Sequence, residues 1–269
     1  MEFNQDFIWL LGVAVLAYIS YRKKALNISG AVASFVIGGV ITFAFSLYGL
    51  LLLAGFFLSS TLLGRILKIP GVRHEEFEEK GETRDGRQVV ANGGWAAVAS
   101  LIFLLTGNPG WFLAFVASLA AANSDTWAST IGKRSSIQPK MVFTGEIVSP
   151  GQSGGTTLRG NAGAMAGSTF IVMTAIMFQF LSTVDSFTWF IWLLIVLVGF
   201  ASQWIDAVAG AFLQSLYYCD TCQRYTEKQY HCKERTKLVK GFKWINNDIV
   251  NHFCTFSAFL TGGIIGIYF

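Results

Sequence analysis

Three aspartates lie inside or beside long apolar segments of this 269-residue chain. They are Asp125 in AAANSDTWAS, Asp206 in SQWIDAVAGA and Asp248 in WINNDIVNH. Because an acidic side chain is costly at membrane depth, each is a candidate functional residue. Clustered carboxylates are what Mg²⁺ prefers, with water and nucleotide phosphates in its other positions. The sequence therefore predicts that these aspartates are metal ligands and catalytic groups for phosphate chemistry.

Each aspartate also has a structural interpretation. Asp248 follows two asparagines and could cap a helix, since Asp and Asn favour that position. Asp125 and Asp206 could accept hydrogen bonds from Ser, Thr or Gln on a neighbouring helix. A helix starting near Asn247 would, however, carry several polar side chains on one face, which is too polar to meet lipid. That face holds Asn247, Asp248, Asn251 and His252.

A glycine-rich stretch, GEIVSPGQSGGTTLRGNAG at 145–163, precedes an apolar segment. Glycines let backbone N–H groups surround phosphate oxygens, and the following helix would add its positive N-terminus. The stretch is not a Walker A loop, because no Gly-Lys-Ser/Thr closes it. The alternative is an ordinary turn, with Gly163 and Gly167 as helix-packing residues. The predicted phosphate ligands here are Lys133, Lys140, Gly151, Ser153, Gly154, Gly155 and Thr156.

A second polar stretch, HEEFEEKGETRDGRQVVANGG within 68–94, alternates closely in charge. One interpretation is a solvated surface loop. The other is a site where Lys80, Arg84 and Arg87 neutralise an anionic substrate. The remaining predicted polar groups of this binding site are Asn92, Asn123, Asn247 and Asn251.

A cysteine-rich stretch, CDTCQRYTEKQYHC, lies between the last two apolar segments. Cys219 and Cys222 have Cys-x-x-Cys spacing, and His231 and Cys232 follow. In a reducing compartment a disulfide is disfavoured, so we predict a structural Zn²⁺ site. Reduced or redox-active cysteines are the alternative.

The composition indicates how these residues are positioned. Hydrophobic residues make up 53% of the chain and charged residues only 13%, whereas soluble domains carry roughly 25% charged residues. The apolar runs are continuous, which favours helices over a barrel. The acidic start, with Glu2 and Asp6, does not resemble a signal peptide. We predict one all-α membrane domain, 1–269, with eight spans at about 7–21, 29–45, 48–66, 91–106, 111–131, 161–181, 187–216 and 249–268.

The positive charges predict the orientation of these spans. All 20 Lys and Arg residues fall in the segments 22–28, 65–90, 132–160 and 217–248. The positive-inside rule therefore predicts cytoplasmic loops at about 67–90, 132–160 and 217–248, with both termini on the opposite side. The net charge of +4 reflects this topology and membrane lipid, and it does not indicate nucleic-acid binding.

The motifs together resemble one protein family. In order they are ANGG, NSDTWAS-x-IG, SPGQSGG, the Asp206 motif with GA-x-x-Q, C-x-x-C with HC, and W-x-NND-x-VN. This order is similar to the family of transmembrane protein 19 and plant phytyl-phosphate kinase, over most of residues 75–256. The chain departs from the family pattern at Thr130, where Glu is expected, and at Gln152 and Ala207, where Thr and Ser are expected.

The resemblance implies phosphorylation of a polyprenyl monophosphate by a nucleoside triphosphate, with CTP favoured. It maps the family's acidic motif residues onto Asp125, Asp206 and Asp248. It also maps the glycine-rich loop onto 149–156. We therefore expect a Mg²⁺-dependent prenyl-phosphate kinase acting on phytyl, geranylgeranyl or farnesyl monophosphate. The alternatives are an ion-coupled transporter or lipid flippase that uses the buried aspartates, a membrane cytidylyltransferase, or an assembly protein.

Overall fold

The structure, a computed structural model, describes residues 3–67, 77, 79–81, 83–181 and 187–269. The predicted turn at 182–186 and much of the predicted loop at 67–90 lie outside the described residues. Most of the described chain is helical. Its helices are α1 (Phe3–Arg22), α2 (Ile28–Ile66), α3 (Gly86–Thr106), α4 (Gly110–Gly132), α5 (Leu158–Leu181), α6 (Trp189–Phe212) and α7 (Asn247–Tyr268).

Helix α2 consists of two arms that meet at Ser46, where the backbone is left-handed (φ 51°, ψ −142°). The Asn27 N–H donates to the Arg84 carbonyl at 3.0 Å, and the Arg84 guanidinium donates to the Ser60 hydroxyl at 3.2 Å. A straight helix would separate positions 27 and 60 by about 50 Å. The chain therefore reverses at Ser46, and the two arms match the separate helices predicted at 29–45 and 48–66.

Helix α4 lies at the centre of the bundle. Every residue from Phe112 to Ser124 is buried, and the helix packs against α2, α3, α5, α6 and α7. Small residues let these neighbours approach closely. A Cβ at Gly167 of α5 would lie 2.8 Å from the Asn123 carbonyl oxygen, and one at Gly199 of α6 would lie 2.8 Å from the Ala120 Cβ. Membrane helices gain dispersion contacts in this way.

The predicted helical membrane bundle is confirmed. Among the described residues, five helices are long and apolar enough to cross a membrane, namely α2, α3, α5, α6 and α7. Helix α1 carries a shorter apolar stretch at Phe7–Arg22. The number of eight spans and the side on which the termini lie stay predictions.

Two of the segments between helices contain short β-strands. The sequence did not predict these strands. Strand β1 (Lys140–Met141) pairs antiparallel with β2 (Gly155–Thr156). Residues 216–240, here called the strand unit, contain a three-stranded sheet and a two-stranded hairpin. Its strands are β3 (Leu216–Cys219), β4 (Arg224–Thr226), β5 (Tyr230–His231), β6 (Glu234–Arg235) and β7 (Lys237–Lys240).

A close contact between α4 and α7 provides a test of the bundle packing. A Cβ at Gly266 would meet the Gly110 carbonyl oxygen, whereas a Cβ at Gly12 of α1 would meet nothing within 4 Å. Gly266→Ala is expected to destabilise the protein by about 1–3 kcal/mol through overpacking. Gly12→Ala should leave stability unchanged or higher, since Ala favours the helix. Thermal unfolding in one detergent measures both, and equal melting temperatures would contradict the packing.

Candidate active site

A large polar cavity lies at one end of the bundle, with a volume of about 1040 Å³. Residues from all four of the polar segments that hold the Lys and Arg residues line its wall, including Lys24, Arg84, Lys133 and Glu227. These segments therefore lie at the same end of the bundle, as their shared charge suggests. That this end faces the cytoplasm stays a prediction.

Most of the predicted site residues line this cavity. Arg87 and Lys140 are exposed and lie outside its wall. Asn123 is buried away from it, where its side chain accepts from Ser59 at 3.2 Å and donates to the Gly167 carbonyl at 2.8 Å. Asn123 therefore joins α2, α4 and α5. The lining residues are Lys80, Arg84, Asn92, Asp125, Lys133, Gly151, Ser153, Gly154, Gly155, Thr156, Asp206, Asn247, Asp248 and Asn251.

Two of the three aspartates meet in the cavity wall. Asp125 of α4 and Asp206 of α6 bring their carboxyl groups within hydrogen-bonding distance of each other. The Oδ2 atom of Asp206 is buried and has no hydrogen-bond partner among the described residues. Two adjacent carboxylates repel each other, and burial adds a desolvation cost. A divalent cation would relieve both effects, so the pair fits a hard metal such as Mg²⁺.

Asp248 has different partners. Asn246 caps α7 by accepting from the Ile249 N–H at 3.3 Å, so Asp248 is not the cap. The buried Asp248 carboxylate instead forms an ion pair with Lys80, which also contacts Asp85 at 2.7 Å. Burial lowers the pKa of Lys80, but its bonds to the two carboxylates outweigh this effect and raise the pKa above its usual value.

The three aspartates therefore share a cavity without forming one compact ligand set. Among the described residues, the cysteine–histidine cluster is the one group of three or more His, Cys, Asp or Glu side chains whose ligand atoms could together hold a metal ion. Asp248 and Lys80 thus form a second charged point on the same wall, separate from the Asp125–Asp206 pair.

The glycine-rich stretch forms the cavity wall beside α6. Gly151 and Gly154 have φ values of 87° and 86°, in the left-handed region that favours glycine. A Cβ at Gly154 would lie 2.6 Å from the Ala211 Cα, so glycine is required where the loop meets α6. The Ser153 hydroxyl donates to the Gln214 side chain at 2.5 Å. The loop is therefore held against the helix that carries Asp206.

Helix α5 begins directly after this loop. The Thr157 hydroxyl accepts from the Gly160 N–H at 2.9 Å, which satisfies one donor of the first turn. Gly160 and Asn161 line the cavity, so the positive end of α5 faces it. A helix N-terminus next to a glycine-rich loop suits an anion such as phosphate.

Lys133 adds positive charge between the glycine-rich loop and the candidate metal ligands Asp125 and Asp206. It follows the last residue of α4, and a Cβ at Gly151 would lie 3.6 Å from its Cε. Its charge acts on Asp125. Lys133 therefore lies where it can contact both the loop and the aspartate pair.

Glu227 is a cavity residue that no motif in the sequence predicts. Its side chain is 9% exposed, accepts from Gln214 Nε2 at 2.8 Å, and exerts its charge on Asp206. The family resemblance predicts Glu at position 130, where the Thr130 hydroxyl instead donates to the Thr126 carbonyl at 2.7 Å. Glu227 therefore brings a third carboxylate to the part of the cavity that holds Asp206.

Arg84 lies at the junction between this cavity and an apolar groove. Its guanidinium lies 5.9 and 5.4 Å from the ring centroids of Phe56 and Phe57, and it donates to the Ser60 hydroxyl. The groove, about 120 Å³ in volume, is lined by α1, both arms of α2, and α3. Arg84 and Asn92 line both spaces. The polar cavity and the apolar groove together fit a molecule with an anionic head and an apolar tail.

The four predicted zinc ligands meet elsewhere, in the strand unit. Their ligand atoms all lie within 4.8 Å of one another, and none of the four residues lines the cavity. They are Cys219, Cys222, His231 and Cys232.

Comparison with known proteins assigns the chain to a family. It matches the model described as "Integral membrane protein DUF92" over residues 11–259. The chain belongs to this family. The DUF92 match includes every residue that lines the cavity, and it confirms the family resemblance predicted from the motifs.

Three relatives of this DUF92 chain cover different shares of its length. Protein PGR of Arabidopsis thaliana is 29% identical over 93% of the chain and 93% of that protein. Protein VTE6, chloroplastic, also of Arabidopsis thaliana, is 25% identical over 92% of the chain and 66% of that protein. Uncharacterized membrane protein MJ0933 of Methanocaldococcus jannaschii is 28% identical over 61% of the chain and 68% of that protein. No solved structure matches.

Proposed function

We propose that this protein is a membrane-embedded prenyl-phosphate kinase. It would transfer the γ-phosphoryl group of a nucleoside triphosphate to a polyprenyl monophosphate such as phytyl, geranylgeranyl or farnesyl phosphate. The observation that carries the proposal is the junction at Arg84, where a polar cavity with paired carboxylates adjoins an apolar groove. The motif resemblance to plant phytyl-phosphate kinase and the membership of the DUF92 family support this reaction.

The lipid acceptor is proposed to place its tail in the groove and its phosphate at Arg84. Burial lowers the pKa of the Arg84 guanidinium, although an arginine side chain stays charged in proteins. Because little water solvates this cation, an anionic partner is favoured beside it. A guanidinium can bind a phosphate through two parallel hydrogen bonds, which would fix the acceptor's orientation.

The nucleotide is proposed to bind along the opposite wall. The loop from Gly151 to Thr156 and the N-terminus of α5 supply neutral donors, and Lys133 supplies a charge. The resemblance favours CTP as the donor. We propose that the cavity faces the cytoplasm, since all 20 Lys and Arg residues lie in the four polar segments.

Mg²⁺ is the proposed cofactor, and the Asp125–Asp206 pair is the part of the cavity that fits it best. When bound, the ion would neutralise charge on the transferring phosphates. Glu227 carries a carboxylate close enough to influence Asp206. Asp248 stays a predicted ligand whose carboxylate would have to exchange Lys80 for the ion.

The transfer needs positioning more than proton removal. An oxygen of the acceptor monophosphate would attack the γ-phosphorus, and the bond from that phosphorus to the bridging oxygen would break. The products are a lipid diphosphate and a nucleoside diphosphate. Because the acceptor phosphate is already an anionic nucleophile, no strong general base is required. The residues of this chain would hold the two substrates in line and exclude water.

A label-transfer assay tests the proposal. Purified protein in liposomes would receive Mg²⁺, γ-labelled CTP or ATP, and phytyl, geranylgeranyl or farnesyl monophosphate. We expect label in the lipid diphosphate, and no transfer when Mg²⁺ is chelated. If no acceptor becomes labelled with either nucleotide, the kinase proposal is wrong. Movement of the unlabelled monophosphate across the same bilayers would then support the transporter alternative.

A further inference from the structure

The strand unit gathers four soft ligand atoms at its outer end. Cys219 ends β3, Cys222 lies in the following turn, and His231 ends β5. The Nδ1 atom of His231 lies 3.3 Å from the Cys222 Sγ and 3.3 Å from the Cys232 Sγ. All four cysteines of the chain, including the distant Cys254, are free. Three thiols therefore surround one imidazole nitrogen.

These distances match the edges of a small coordination tetrahedron. A Zn²⁺ ion with three sulfur ligands and one nitrogen ligand would place its ligand atoms about 3.5–3.8 Å apart, from bond lengths of about 2.3 and 2.0–2.1 Å. The two separations of 3.3 Å are slightly shorter, and the remaining ligand-atom separations are at most 4.8 Å. Disulfide formation cannot account for the cluster, because three thiols cannot all pair with one another and the histidine would remain unused.

The backbone explains how two neighbouring residues can both face one point. Cys232 and Lys233, the turn residues between β5 and β6, have φ values of 52° and 66°. Neither is glycine, so this left-handed pair is strained. The turn nevertheless brings the Cys232 thiol beside the ring of His231. A strained turn persists where its surroundings compensate for it, and a bound ion would provide that compensation.

We propose that Cys219, Cys222, His231 and Cys232 bind one Zn²⁺ ion in a closed structural site. Four protein ligands leave no open position for a substrate. The site is separate from the cavity, since none of the four residues lines it, and the inference does not depend on the proposed kinase activity.

The position of the site indicates what the ion would stabilise. The strand unit consists of strands of two to four residues, which is too little structure to hold its own shape without a cross-link. Its inner side carries Glu227 and contacts the helices. Gln214, two residues before the unit, bonds to both Ser153 and Glu227, and the Lys240 ammonium donates to the Gly210 carbonyl at 3.1 Å. Zinc would fix the unit that places Glu227 in the cavity wall.

Metal content provides the test. The full-length protein, purified under reducing conditions without chelators, should contain one Zn²⁺ per chain. After removal of zinc, added Co²⁺ should give the visible absorption of a tetrahedral thiolate site. Cys222→Ser should lower the zinc content at least about tenfold, while Cys254→Ser, which alters a buried cysteine of α7, should keep it.

Three results would overturn the proposal. They are the absence of both zinc and a Co²⁺ spectrum, iron in place of zinc, or equal zinc in the two serine variants. If Cys222→Ser does not accumulate, a chelator titration of the unaltered protein replaces it. Zinc that is released without a change in the melting temperature would then contradict a structural role.

Discussion

Replacing Asp206 with asparagine is expected to lower kcat for phosphoryl transfer about a thousandfold. Asp206, next to Asp125, has one buried carboxylate oxygen to which no residue in the described part of the chain donates a hydrogen bond. The substitution removes the charge from one member of the pair that fits Mg²⁺. Loss of a metal's charge stabilisation is worth several kcal/mol, and about 4 kcal/mol corresponds to a factor of about a thousand. Asp125→Asn should have the same effect, measured by label transfer under saturating substrates.

Thermal stability separates this effect from misfolding. Without Mg²⁺, Asp206→Asn should melt no lower than the unaltered protein, because it relieves repulsion between neighbouring carboxylates. Mg²⁺ should raise the melting temperature of the unaltered protein and not that of the variant. Glu146→Gln removes an exposed carboxylate outside the cavity and should keep full activity. Unchanged transfer by both aspartate variants would remove the pair from the metal site.

Replacing Arg84 with glutamine is expected to reduce kcat/KM for the lipid acceptor about a hundredfold. Arg84 faces both the polar cavity and the apolar groove, and is held there by Phe56, Phe57 and Ser60. A charge-assisted hydrogen bond contributes about 1.5–3 kcal/mol, which is enough for this factor. The loss should appear mainly in KM for the lipid, with KM for the nucleotide unchanged. Steady-state kinetics with each substrate varied in turn measure the two constants.

Arg87 provides the matched control. It lies three positions away and has the same charge, but it is exposed and outside the cavity wall. Arg87→Gln should therefore leave kcat/KM within about twofold of the unaltered protein. Arg84→Lys should fall between the two, because lysine keeps the charge and lacks the planar pair of donors. Equal losses for Arg84→Gln and Arg87→Gln would contradict acceptor binding at the groove.

The helices could be predicted because lipid permits few alternatives. An apolar run that cannot bond to water must satisfy its own backbone groups, so the runs themselves locate the helices. Even the reversal within α2 follows from length, since residues 28–66 exceed the roughly 20 residues that cross a bilayer. The short strands at 216–240 were not predicted, because strands of this size depend on partners supplied by the rest of the fold.

The sequence predicted which residues lie in the candidate site better than it predicted which of them contact each other. Asp125, Asp206 and Asp248 were found because charge is rare at membrane depth. Which carboxylates meet depends on how α4, α6 and α7 are rotated about their axes, and hydropathy does not encode that rotation. Lys80 pairs with an aspartate 168 positions away, so the separation of Asp248 from the other two could not be read from the sequence.

Glu227 illustrates what sequence reasoning cannot detect. It lies in a stretch of mixed charge that resembles any solvated loop. In the folded chain it is buried, and Gln214, just after the end of α6, donates a hydrogen bond to it. No local pattern distinguishes this carboxylate from exposed neighbours such as Glu234.

The dimensions of the groove beside Arg84 limit how much of the proposed prenyl acceptor the protein would contact. Along the second arm of α2 its lining runs from Leu58 to Leu50, a helix rise of about 12 Å. Carbons of the tail beyond that depth would lie among bilayer lipids. Their surroundings would be the same in the free and in the bound lipid, so a longer tail would not change the binding free energy. Discrimination between isoprenoids would therefore rest on the units next to the phosphate, and the distal units would be interchangeable.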